Sequence, residues 1–233
     1  MVKVSIVIPA YNEEGRIKAT LERCLKYLKS KKYSWELIVV DDGSKDKTAE
    51  IVKSFKKIKL ISYKPNGGKG YAVKKGVLES KGDYVLFSDA DLSAPIEELD
   101  KLMEFIDEYD IVIGSRGVRE SEANMVASRK LIGRAFNFTI KILTGLYFKD
   151  TQCGFKLFKR KAAQELFKKQ TIMGWVFDVE ILFLAKKKGY RIKEVGVKWE
   201  HKEHDKVSPA SDSFNIIKEV LKIWWNSLLR RYN

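Results

Sequence analysis

The feature that most limits what this chain can become is an alternation in its first half, where short β-branched runs are separated by segments of helical periodicity. Val4 to Ile8, Leu37 to Val40, Ile58 to Ser62, Tyr84 to Ser88 and Ile111 to Ser115 read as strands. Between them, Glu14 to Ser30, Lys47 to Phe55, Gly70 to Ser80 and Pro95 to Tyr109 carry apolar residues at the spacing of one helix face. Repeats of this kind feed a mostly parallel sheet flanked by helices, so the expected fold class is α/β with a doubly wound layout.

Open α/β sheets bind ligands beyond the carboxyl ends of their strands. Those ends are acidic and polar here. Strand one runs into Pro9-Ala10-Tyr11-Asn12-Glu13, strand two into Asp41-Asp42-Gly43-Ser44, and the fourth into Asp89-Ala90-Asp91. Two carboxylates one residue apart repel each other unless a cation neutralises them, and hard divalent cations favour oxygen ligands. Asp89 and Asp91 are therefore candidate metal ligands, with a solvated turn or a helix cap as the other reading. Asp41 and Asp42 suit a ribose or a base, Gly43 allows a sharp turn, and Asp42 equally suits the cap of the following helix. Asn66-Gly67-Gly68-Lys69-Gly70 precedes a helix, where Lys69 can meet phosphate oxygens or the run can be a plain turn.

The second half is less regular. A basic stretch holding Arg116, Arg119, Arg129, Lys130 and Arg134 follows the fifth strand and suits phosphate recognition as well as it suits solvent. A helical pattern from Leu131 to Phe148, a polar turn from Lys149 to Gly154, a short strand, and helices near Lys161 to Lys168 and Phe177 to Lys188 come next. Strand Ile192 to Trp199 and a terminal helix from Ser213 to Arg231 complete the chain. Asp178 stands in the first turn of its helix beside Trp175, where it complements the helix dipole or borders an acceptor pocket as base or orienter.

Lys and Arg number 45 against 31 Asp and Glu, a formal charge of +14, which points to polyanionic partners. A nucleic-acid-binding protein is the non-enzymatic reading of that charge; acidic strand ends and the lack of a recognised nucleic-acid motif oppose it. Cys24 and Cys153 have no metal-ligand spacing and read as reduced thiols of a cytosolic protein. Every long apolar segment is interrupted by charge, so a peripheral membrane contact is expected rather than a span.

Taken in order, Ile8-Pro9-Ala10-Tyr11-Asn12-Glu13, Val40-Asp41-Asp42-Gly43-Ser44, Lys69-Gly70, Asp89-Ala90-Asp91, Ser115-Arg116, Asp150-Thr151-Gln152-Cys153-Gly154-Phe155-Lys156-Leu157-Phe158 and Trp175-Val176-Phe177-Asp178-Val179-Glu180 span nearly the whole chain. This set resembles the inverting family 2 glycosyltransferases of GT-A fold, in particular the polyprenyl-phosphate and dolichyl-phosphate hexosyltransferases. The resemblance implies a nucleotide-sugar donor held by Pro9, Ala10, Tyr11, Asn12, Glu13, Asp41, Asp42, Lys69, Asp89 and Ala90. It implies Mn2+ or Mg2+ on Asp89 and Asp91, and an acceptor or leaving phosphate met by Arg116, Arg129, Trp175 and Lys206. Asp91, Arg116 and Asp178 are then the catalytic candidates. Mannosyl members commonly carry Gln where this chain has Ser93, which leaves a third metal ligand unassigned.

The Asp150 to Phe158 and Trp175 to Glu180 runs resemble the dolichyl-phosphate glucosyl branch, which implies UDP-glucose as donor, with GDP-mannose or a polysaccharide acceptor as alternatives. The expected organisation is a catalytic domain over 1–211, with a nucleotide-binding half over 1–115 and an acceptor half over 116–211, then an amphipathic helix over 212–233. The expected location is the cytoplasmic face of a membrane. Leu131, Ala135, Phe138, Ile142 and Leu146 form one helical stripe, and Phe214, Ile217, Leu221, Trp224, Trp225 and Leu228 form another that ends in Arg230 and Arg231. Such stripes face either a core or a lipid headgroup layer.

Overall fold

The computed structural model describes residues 3–118, 140–200, 209–229 and 231–232. Seven strands form one sheet: β1 (Val4–Ala10), β2 (Trp35–Asp41), β3 (Ile58–Ser62), β4 (Tyr84–Ser88), β5 (Ile111–Ser115), β6 (Phe155–Lys159) and β7 (Ile192–Gly196). Their order is β3-β2-β1-β4-β6-β5-β7, and every pairing is parallel except the two made by β6. The α/β expectation and the five early strands hold, and the sheet is mostly parallel as foreseen. The helices are α1 (Ile17–Lys29), α2 (Thr48–Lys53), α3 (Lys69–Leu78), α4 (Leu99–Met103), α5 (Arg160–Lys169), α6 (Phe177–Lys187) and α7 (Pro209–Leu228).

Side chains alternate across the sheet with period two, and both faces are covered. Val7, Val40, Phe87, Ile113 and Phe158 join α3, α5, α6 and α7 in one apolar cluster, while Ile6, Ile8, Val39, Leu86 and Leu157 join α1 and α4 in the other. Burial on two faces explains why β1, β2 and β4 are dominated by apolar residues.

Some boundaries differ from the periodicity. The segment expected to be one helix from Pro95 to Tyr109 is a short 3-10 turn, Ile96–Glu98, followed by the five-residue α4. Beyond Met103 the backbone closes tighter, with Phe105 donating to the Leu102 carbonyl at 3.2 Å and Glu108 to that of Phe105 at 3.2 Å. β7 stops at Gly196 rather than Trp199, and α7 begins at Pro209, four residues before the expected start. Of the Leu131 to Phe148 pattern, residues 140–144 are helical and 131–139 lie outside the described residues.

The terminal helix packs on the protein along one face and leaves another in solvent. Val220, Ile223 and Asn226 are buried, whereas Leu221, Trp224, Trp225, Leu228 and Leu229 are exposed, as are Lys218, Lys222 and Arg231. Most of the stripe read from the sequence is therefore the outward face; the side chains of Phe214 and Ile217 lie outside the described residues. No helix among the described residues is long and apolar enough to cross a membrane.

Candidate functional site

Parallel register places the ends of β1, β2 and β3 at one rim, with Ala10 opposite Asp41 and Asp41 opposite Ser62. β4 joins them through its pairing with β1. Because β6 is antiparallel, its start at Phe155 faces Ser88 at the same rim, and β5 leads to Arg116 there as well. The rim thus collects Tyr11 to Glu13, Asp41 to Ser44, Asp89 to Asp91, Gly154 and Arg116.

Asp89 and Asp91 are bent into place rather than left in a loose turn. Asp89 donates its backbone N–H to the Gly154 carbonyl at 3.1 Å and accepts Leu92 N–H on its own carbonyl at 3.2 Å, with Leu92 at φ +49°. Asp91 Oδ1 accepts the Ser93 N–H at 2.9 Å. Ala90 is nearly buried, and its carbonyl accepts the Thr20 hydroxyl at 2.6 Å, which fixes the turn against α1. Gly154 packs so closely on Asp89 that a Cβ there would lie 1.9 Å from Oδ2, so no side chain fits while the carboxylate keeps its position.

Lys69, the first residue of α3, pairs with Asp89 Oδ1 at 2.6 Å and lies 5.1 Å from the centre of the half-exposed Trp175 ring. Burial works against its ammonium, but Asp89, Asp178 and Asp91 together outweigh that and hold it above the ordinary lysine range. Around this cation sits a second, deeper pair. Lys156 on β6 has no exposed surface, bonds Asp178 Oδ1 at 2.9 Å, donates to the Cys153 carbonyl at 2.5 Å, and stands 5.3 Å from the Phe87 ring. Burial raises the Asp178 carboxyl, opposed by Lys156 and Lys69. Asp178 is only 3% exposed and is the ion-pair partner of Lys156.

Arg116 is held in a fork. Its Nε and Nη2 bond Asp150 Oδ2 and Oδ1 at 2.6 and 2.9 Å, its backbone N–H reaches Oδ2 at 3.1 Å, and its guanidinium lies 4.7 Å from the Trp199 ring centre. Burial penalises both charges. The mutual attraction wins, so Arg116 is raised and Asp150 is held below the usual carboxylate range. Glu194 in turn accepts the Asp150 and Lys149 N–H groups at 2.8 and 3.1 Å.

The nucleotide-side residues are equally ordered. Asp41 accepts Ser44 N–H at 3.1 Å and the Ser62 hydroxyl at 2.8 Å, which leaves each carboxylate oxygen further acceptor capacity. Asp42 does not cap a helix: α2 begins at Thr48, whose N–H is taken by Asp46 at 3.0 Å. Instead Asp42 accepts the Tyr63 hydroxyl at 2.8 Å, Asn66 Nδ2 at 2.8 Å, and the Gly67 and Gly68 N–H groups at 2.7 and 3.0 Å, organising the loop that presents Lys69. Gly43 takes φ +74°, as the turn requires. Asn12, at φ +52°, accepts Lys45 N–H at 2.8 Å and donates its own to Ser44 Oγ at 2.9 Å. Glu13 pairs with Arg16 and donates its backbone N–H to Thr48 Oγ1 at 2.7 Å. Pro9 and Ala10 are buried β1 residues, and the Ala10 carbonyl accepts Asp42 N–H at 2.8 Å.

The structure therefore brings together Asp41, Asp42, Lys69, Asp89, Asp91, Arg116, Trp175 and Asp178, while Arg129, Lys206, Arg119, Lys130 and Arg134 lie outside the described residues. Lys156, Asp150, Gly154 and Trp199 were not singled out as site residues from the sequence, although the first three lie in a motif that was. Among the described residues no three His, Cys, Asp or Glu side chains form a metal cage.

Residues 5–167 match the family model described as glycosyl transferase family 2. The chain belongs to that family. This glycosyltransferase is 38% identical over 246 residues to a dolichyl-phosphate beta-glucosyltransferase of Dictyostelium discoideum, a match covering 97% of this chain and 75% of the relative. It is 36% identical to the Saccharomyces cerevisiae enzyme of the same name, over 98% of this chain and 76% of that one. To the Homo sapiens enzyme it is 33% identical, over 95% of this chain and 74% of that one. Among solved structures it resembles mannosyl-3-phosphoglycerate synthase from Rubrobacter xylanophilus, with TM-score 0.71 and 20% identity over 98% of this chain and 74% of that one. Glucosyl-3-phosphoglycerate synthase from Mycobacterium tuberculosis in complex with Mn2+, UDP and glucosyl-3-phosphoglycerate matches with TM-score 0.67 and 18% identity, over 99% of this chain and 80% of that one. These two share the fold of the family 2 enzyme described above.

Proposed function

We propose that the protein transfers glucose from UDP-glucose to a dolichyl or polyprenyl phosphate with inversion, giving a β-linked lipid-phosphate sugar. The observation that carries this is the alternation of charge at the sheet rim: Asp89 and Asp91 beside Lys69, with Arg116 forked on Asp150. The relatives named above are dolichyl-phosphate beta-glucosyltransferases, which supports glucose as the sugar and dolichyl phosphate as the acceptor.

The carboxylates fit a divalent metal. Asp89 already draws a cation to 2.6 Å, and an aspartate pair with no third carboxylate, His or Cys grouped with it among the described residues suits an ion that would take its other ligands from the donor and water. Mn2+ or Mg2+, when bound, supplies charge stabilisation for a departing nucleoside diphosphate. Asp89 and Asp91 would hold it. Asp41, with acceptor capacity to spare at the end of β2, would take ribose or base, and the ordered Tyr11 to Glu13 segment would close on the nucleotide. Arg116 and Lys69 would face the diphosphate and acceptor phosphate, their donors preset by Asp150, Trp199 and Asp42. An acceptor phosphate is already ionised near neutral pH, so no strong base is needed and Asp178 serves to orient.

The lipid would be reached from the surface, as a peripheral contact on a cytoplasmic leaflet. α7 offers Leu221, Trp224, Trp225, Leu228 and Leu229 outward, flanked by Lys218, Lys222 and Arg231, a composition suited to an anionic headgroup layer. A donor screen tests the reading: purified protein with Mn2+, polyprenyl phosphate and a set of nucleotide-sugars is scored for lipid-linked product. UDP-glucose should give an organic-extractable glucosyl lipid. Product from GDP-mannose alone, or transfer only to soluble sugars, would overturn it.

A further inference from the structure

A fully buried lysine at the heart of a binding site has no part in the reaction just outlined. Lys156 lies on the face of β6 that looks toward α6, with its ammonium spent on Asp178 Oδ1 and the Cys153 carbonyl. Burying two charges carries a large desolvation penalty, and an apolar pair of similar volume often holds a core as well. The pair therefore calls for an explanation other than stability. Its neighbour supplies one.

α3 and α6 meet at their first turns: the Tyr71 N–H reaches the Met173 carbonyl at 3.2 Å, and a Cβ on Gly70 would lie 2.7 Å from Phe177 Cβ. Lys69 pairs with Asp89 and also feels the attraction of Asp178, the carboxylate that Lys156 pins on α6. The same strand start fixes both acids, since Gly154 packs on Asp89 and Lys156 holds Asp178. Charges alternate in sequence: Lys156, Asp178, Lys69, Asp89. With a cation held on Asp89, Lys69 would lose that partner and its ammonium would need another anionic group nearby.

We propose that Lys156 and Asp178 form a positioning pair for Lys69, giving its ammonium a fixed counter-charge when metal and nucleoside diphosphate occupy Asp89. Lys156 acts only through Asp178, and Asp178 only through Lys69. The inference rests on the donor site of the proposed function and deepens it, assigning a role to two buried charges that never touch the sugar.

The test is a double-mutant cycle read by calorimetry of Mn2+ with UDP, with melting temperature recorded alongside. Lys156→Met/Asp178→Asn removes both buried charges together and so avoids an unpaired one. In the wild-type background this double variant should weaken Mn2+–UDP binding by about fivefold or more, and in the Lys69→Met background by less than about twofold. Adding Lys156→Met to Asp178→Asn should change the affinity by less than about twofold beyond Asp178→Asn alone. An equal loss with and without Lys69 would overturn the proposal, because the pair would then act on the ligand directly. Unchanged affinity in the wild-type background would overturn it too, leaving a structural pair only. A wild-type protein that binds no Mn2+–UDP would sink the donor-site reading along with this one, whereas either other failure leaves the proposed function standing.

Discussion

Gly154→Ala should separate the geometry of the acidic rim from the stability of the fold. The Gly154 backbone is not among the positive-φ positions, so alanine brings no backbone strain. Its methyl would nevertheless lie 1.9 Å from Asp89 Oδ2, 2.3 Å from Cγ and 2.6 Å from Oδ1. Restoring van der Waals contact requires the nearer carboxylate oxygen to retreat by about 1.5 Å. Asp89 has a 25% exposed side chain, so it can rotate toward solvent without opening the core, and the melting temperature should fall by only a few degrees, roughly 1 kcal/mol in a domain of this size. A misplacement of about 1 Å at a reacting centre costs on the order of 100-fold in turnover. The assay is UDP release from UDP-glucose at saturating Mn2+, with calorimetric Mn2+–UDP affinity beside it. Gly15→Ala, at a glycine with nothing within 4 Å of its would-be Cβ, is the matched control and should behave as wild type. A Gly154→Ala protein with wild-type affinity and turnover would show that Asp89 has no required position.

Asp91→Ala should abolish transfer by removing a metal anchor, while Asp178→Asn should leave measurable activity; equal losses in a steady-state assay would overturn that division of roles. Glu219, half-buried on α7 and accepting the Val176 N–H at 3.3 Å, has its carboxyl raised by burial. A raised carboxyl keeps its proton to higher pH in the folded chain than in the unfolded one, so its destabilising effect is absent below the unfolded value and grows as pH rises through the folded one. Glu219→Gln should therefore melt above wild type at pH 7, with the gap closing on acidification below about pH 4; a gap independent of pH in a melting series would contradict this. Trp224→Ser/Trp225→Ser, both at exposed positions, should weaken binding to anionic vesicles by about tenfold in a sedimentation assay and leave the melting temperature unchanged; undiminished binding would remove α7 from the membrane contact.

Much of this architecture was legible in the amino-acid pattern because burial writes itself into it. β1 and β2 are buried along most of their length on both faces, so Leu37 to Val40 is an unbroken apolar run and Val4 to Ile8 is interrupted only by Ser5. The acidic strand ends were legible as a group for the same reason: each abrupt change from apolar to carboxylate marks a strand reaching the rim. The place of β6 was not legible. A five-residue strand carries no sign of which neighbours it joins or in which sense, and its insertion between β4 and β5 is what brings Gly154 against Asp89. Lys156 was hidden for a related reason. A lysine inside a strand reads as a solvent-facing residue, and its partner Asp178 lies 22 residues further along on a different element. Asp42 shows how one sequence signal serves several structures: an acid after a strand looks the same whether it takes a ribose, caps a helix or, as here, gathers the N–H groups of a distant loop. α7 was legible as amphipathic, but which stripe faced inward was decided by Val220, Ile223 and Asn226, whose contacts lie on other elements.

If the acidic rim holds UDP through a divalent cation, UDP binding must depend on both the cation and Asp91. Calorimetry of UDP binding with Mn2+, with chelator, and with Asp91→Ala in the presence of Mn2+ separates the two. Saturable binding is expected in the first case and loss of it in the other two. Equal affinity in all three would show that Asp89 and Asp91 grip no ion on the nucleotide's behalf.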